Sequence, residues 1–132
     1  MAQYQRDTER KKVLDETATW ANSAAVNTIV LTSAVTPPAE GRGSRLHLFV
    51  RNPSTVTALN VQPQGRFADG ATDRWVNLGT AQVATINTTN PSGQLFTLAD
   101  GVVGTGFRLS ITNATVLGVA DGFSARVIAY TG

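Results

Sequence analysis

The chain has no cysteine, one histidine and two lysines in 132 residues, its charged fraction is only 15%, and no apolar run approaches the length that spans a bilayer. Each shortage removes a class of function. Without cysteine there is no disulfide scaffold, no thiolate nucleophile and no thiolate metal site. His47 is the one histidine of the chain, so serine–histidine–acid chemistry would have to pass through it. No serine lies in a nucleophile-elbow pattern, and no catalytic constellation emerges. A net charge of +2 is too small to argue for a polyanion partner. The opening MAQYQRDTERKK is no secretion signal, and the chain is expected to be made in the cytoplasm and to be soluble.

What is present is short apolar alternation separated by turn residues. In Arg45 to Gly65, Leu46, Leu48 and Val50 alternate with Arg45, His47, Phe49 and Arg51, then Asn52-Pro53-Ser54 turns the chain, and Leu59 and Val61 alternate with Asn60, Gln62 and Gln64. The same grammar predicts strands over 26–35, 74–78, 81–85, 94–98, 107–112, 116–119 and 123–130. The turns between them carry Asp69-Gly70, Asn90-Pro91, Asp100-Gly101 and Asp121-Gly122. Eight or nine short strands without helical inserts imply an all-β antiparallel sandwich, jelly-roll-like, over residues 26–132. The segment TPPAEGRGS is a loop by its prolines and glycines.

Residues 1–25 are of another kind. Arg6, Asp7, Glu9, Arg10, Lys11, Lys12, Asp15 and Glu16 crowd there, and Val13, Leu14, Ala18 and Ala21 follow helical spacing, so an extended or partly helical arm is expected, with a short helix near 8–20. Such an arm offers Arg10, Lys11, Val13, Leu14 and Trp20 to a neighbouring subunit.

The remaining motifs read as structure. Asp69 and Asp73 lack the ligand spacing of a calcium loop, and Gly101 to Gly106 leads into a strand, not a helix, so no phosphate loop is supported. No cofactor or metal is expected. Asn87-Thr88-Thr89 and Asn113-Ala114-Thr115 match the glycosylation acceptor pattern by chance in Thr-rich turns. Arg66, Arg74 and Trp75 give a basic and aromatic surface, yet no signature of a specific nucleic-acid module accompanies them. Outward Phe49 and Trp75 beside arginines are better read as protein-interface anchors, since arginine and aromatics are enriched there, and Arg45, His47, Phe49 and Arg51 form a candidate docking surface.

The charged arm, the low-charge sandwich and the strand that closes the chain, with the stretches LHLFVRNPSTVTALNVQP and GFRLSITNATVLGVADGFSARVIAY, resemble the small capsid decoration (cement) proteins of tailed bacteriophages. The resemblance implies a virion protein on the capsid surface, assembled in the host cytoplasm. Such proteins form homo-oligomers, often trimers, and bridge major capsid protein subunits. A tail, neck or baseplate component shares the same texture. A carbohydrate-binding or adhesin sandwich is the third reading, and it requires exposed aromatics clustered on one face.

Overall fold

The computed structural model describes residues 11–33, 46–88, 91–98 and 106–131. Nine strands follow in order: β1 (Lys11–Trp20), β2 (Thr28–Thr32), β3 (Leu46–Arg51), β4 (Leu59–Asp69), β5 (Thr72–Asn77), β6 (Gln82–Ala84), β7 (Gln94–Leu98), β8 (Gly106–Asn113) and β9 (Phe123–Thr131). They form two antiparallel sheets, β1-β9-β3-β7 and β2-β8-β4-β5, with β6 added beside β4. The pairs β1–β9, β2–β8, β3–β7 and β4–β5 are nested like the two sides of one long hairpin. Rolling that ribbon closes the sheets through β3–β9 and β4–β8. This is the jelly roll that the turn spacing implied.

The core lies where the inner faces of the two sheets meet. Leu46, Leu48, Val50, Ala125, Val127 and Ala129 come from the first sheet. Leu59, Val61, Phe107, Leu109 and Ile111 oppose them from the second. The alternation is cleanest in β8, whose burial runs strictly buried and half-buried from Phe107 to Asn113. Pro63 sits inside β4 without breaking the β8 ladder. Its carbonyl accepts from Leu78 N at 2.9 Å, so its nitrogen also faces away from β8, into the gap between β6 and β5.

Two expectations are corrected. Lys11–Trp20 is a strand and not a helix: it pairs along the whole of β9, so the sandwich begins inside the stretch assigned to the arm, and residues 1–10 lie outside the described residues. The ladder shifts register between Lys12 and Leu14, and this bulge turns both Val13 and Leu14 inward. The second correction concerns 116–119, which forms no strand. It belongs to a loop in which Leu117 is buried while Val116 and Val119 are exposed.

Side chains fasten the loops at that end of the sandwich. Asn113, fully buried, accepts from Asn27 N at 2.8 Å and donates to Ala25 O and Thr115 O. Asn52 donates to Thr57 O at 2.9 Å and accepts from Ser54 N, which makes the Asn-Pro-Ser turn a side-chain-built one.

Candidate functional site

Alternation sends the other half of each strand outward, and sheet order decides which of those side chains meet. On the first sheet, His47, Phe49 and Arg51 of β3 stand beside Tyr130, Ile128 and Arg126 of β9 in direct register. On the other flank of β3, His47 and Phe49 face Thr97 and Leu95 of β7. With Asp15 opposite Ile128, one row across the sheet reads Asp15, Ile128, Phe49, Leu95. Leu95 is 68% exposed. This is an apolar stripe on the solvent side of a sandwich, the kind of surface that marks an interface.

Phe49 is held in place by the backbone beneath it. A Cβ built on Gly93 would lie 2.6 Å from Phe49 Cζ, and Gly93 has φ +112°, so only glycine fits under the ring. His47 is less open than expected. It points outward, yet it is only 9% exposed, and its Nδ1 lies 3.2 Å from Thr97 Oγ1.

The charged end of the face is ordered by one carboxylate. Asp15 receives Arg126 Nε on Oδ1 at 3.1 Å and Arg126 Nη2 on Oδ2 at 3.0 Å, a bidentate pair, with Lys12 Nζ at 3.2 Å. The Arg126 hydrogen bonds, then that from Lys12, hold the Asp15 carboxyl down to about 2 from 3.8, and the Arg126 guanidinium is raised in turn. Because the folded value lies below the unfolded one, the pair stabilises fully above pH 3.8 and its contribution is lost as pH falls toward 2. Asp15→Asn is therefore expected to flatten the acid limb of stability between pH 4 and 2. Urea midpoints across that range compare it with the parent, and the difference should shrink in high salt because the pair is solvent-facing.

The other expected contact residues are dispersed. Val13, Leu14 and Trp20 are 1%, 4% and 2% exposed, so they belong to the chain's own core and are not presented to a neighbour. Lys11 is placed by its backbone pairing with Thr131, and Arg10 and Arg45 lie outside the described residues. Sequence reading missed Arg126, Ile128, Tyr130 and Leu95. The signal for three of them was present as the complement of Phe123, Ala125, Val127 and Ala129, but that β9 lies beside β3 is not written in either strand.

The opposite sheet carries a second outward feature. Trp75 on β5 has the Arg108 guanidinium 4.3 Å and the Arg66 guanidinium 5.8 Å from its ring centre. Gln64 Oε1 accepts from Arg108 at 2.7 Å, and Gln64 Nε2 donates to Asn77. These groups satisfy one another. Trp20 points into the core, so the two tryptophans form no common platform.

Two further features complete the surface. A cleft of about 240 Å³ opens at the sandwich edge between Val13, Leu14, Glu16 and Thr32, smaller than usual ligand pockets. Among the described residues no cluster of three metal-ligating side chains occurs, and no helix is long and apolar enough to cross a membrane. No family model, curated protein or solved structure matches the chain.

Proposed function

We propose that the protein is a non-enzymatic structural component of a virion, a capsid decoration protein that bridges neighbouring capsid subunits. The observation that carries this reading is the outward stripe Ile128, Phe49 and Leu95 beside Arg51 on one sheet of a jelly roll. Jelly rolls recur in viral capsid domains, an analogy of fold that supports the reading without assigning a function by itself. A sheet face with an apolar row and guanidinium groups at one end of it suits docking onto a preformed protein surface. The partner is the major capsid protein, and a trimer is the oligomer this reading favours.

Co-sedimentation of the full chain with expanded, DNA-free capsid shells tests it. Saturable retention at a fixed ratio to capsid subunits is expected, together with greater resistance of the shells to heat. Absence from the pellet would overturn the reading. Labelling intact particles then separates head from tail, neck or baseplate.

One observation favours a second reading. Trp75, flanked by Arg66 and Arg108, offers a single ring, and Asn77 beside it keeps its amide N–H groups for a saccharide, and lectin domains also use jelly rolls. Binding on a glycan array that Trp75→Ala removes would support that reading over the first.

A further inference from the structure

Arg51 and Arg126 are direct cross-strand partners on the outward face of the first sheet, and both are exposed. Like charges directly opposite each other destabilise a sheet. Asp15 neutralises Arg126 with both carboxylate oxygens. Arg51 has no such partner: among the described residues it makes no ion pair or side-chain hydrogen bond. Arg51 thus keeps a positive charge without a counter-charge beside a cluster, Lys12, Asp15 and Arg126, in which two cations share one carboxylate, at the edge of the row Ile128, Phe49 and Leu95, where a strand position could equally carry threonine.

We infer that this corner docks a protein surface presenting a carboxylate next to an apolar side chain, the carboxylate on Arg51 and the apolar group on Phe49 and Leu95. The inference rests on the docking reading above for the partner being a protein, and adds which chemistry that protein must show. Charge complementarity selects the occupant. A second copy docked corner to corner, with the two-fold axis at Arg51, would set Arg51 against its own copy, which costs energy and supplies no carboxylate to it. A nucleic acid needs a run of cations. This face has Lys12 and Arg126 already on Asp15 and an apolar row through its centre. A desolvated guanidinium–carboxylate contact beside buried apolar area has the composition of an interface hot spot.

The test uses the full chain, isotope-labelled, titrated with the blocked peptide Leu-Glu-Leu-Glu and with Leu-Gln-Leu-Gln. Amide shifts are expected on β3, β9 and β7 with the acidic peptide, weakening steeply with salt, and at least roughly ten-fold weaker with the amide peptide or with Arg51→Gln. Arg51→Gln is also expected to raise the thermal midpoint by about 1 to 3 °C, because it relieves the repulsion from the net positive cluster of Lys12, Asp15 and Arg126. Equal binding of both peptides, shifts that map to the Trp75 face, no shifts at millimolar peptide, or a lowered midpoint would each overturn the inference. Because no particle is involved, acidic-peptide binding without retention on capsid shells would overturn the capsid reading and leave this one standing. Capsid retention that Arg51→Gln leaves unchanged would do the reverse.

Discussion

Trp20→Ala is expected to destabilise the protein by roughly 3 to 5 kcal/mol, enough to leave little of the stability of a small domain. The indole is 2% exposed and stacks on Phe123, with ring centres 5.1 Å apart and planes 15° from parallel. It also closes the β1–β9 ladder, where Trp20 and Phe123 are the last register pair. Among the described residues its Nε1 is buried without a hydrogen-bond partner, so part of what the ring area contributes is offset by a desolvated N–H. Trp20→Phe keeps a ring and removes that N–H, and should cost clearly less than alanine. Urea unfolding of the two variants measures both effects. The same reasoning separates two truncations: removal of residues 1–10 keeps β1, whereas a chain starting at residue 21 loses Val13, Leu14, Ala18 and Trp20 from the core together and should not fold. A cooperative unfolding transition in the longer truncation would show that β1 is dispensable and the core assignment mistaken.

That the first strand was unreadable as a strand has a physical cause. A strand announces itself by a period of two, and the bulge at Lys12 to Leu14 places two adjacent residues, Val13 and Leu14, on the same side. With Ala18 four residues beyond Leu14, the buried positions then mimic the spacing of a helix. By contrast β3 and β8 run without interruption, and their inward residues follow directly from alternation. Val116 to Val119 misled in the opposite way. Its apolar residues suggest a strand, but Leu117 N bonds Ala24 O and Asp121 Oδ2 takes Gly118 N, so the segment is committed to neighbouring loops. The docking face divides along the same line. Each strand told which of its residues point outward, while the row from Ile128 through Phe49 to Leu95 exists only because β9 and β7 flank β3, and strand order is set by the rolling of the whole ribbon.

Rolling the ribbon brings the β1–β2 and β8–β9 loops to one end of the sandwich, and Asn113 is where they are tied, which makes Asn113→Ala the second severe substitution expected: a loss of roughly 2 to 4 kcal/mol. The residue looked like part of a glycosylation pattern in a turn. Folded, it is fully buried, with its Oδ1 on Asn27 N at 2.8 Å and its Nδ2 on Ala25 O at 3.2 Å and Thr115 O at 3.0 Å. Alanine would take the side-chain partner from three backbone groups of two different loops, in bonds that are partly buried, and each group that water does not then reach costs on the order of 1 to 3 kcal/mol before relaxation. Asn113→Asp should be worse at neutral pH, since a carboxylate oxygen would replace the donor that faces two carbonyls. Denaturant midpoints rank the variants, and hydrogen exchange locates the damage: the Asn27 amide should lose protection first, with the β3–β9 amides changing only through global stability. If Asn113→Ala instead cost less than about 0.5 kcal/mol, the loops would have to be held by their backbone bonds alone, Leu117 N to Ala24 O and Ser23 N to Gly118 O, and the tie assigned to Asn113 would be redundant.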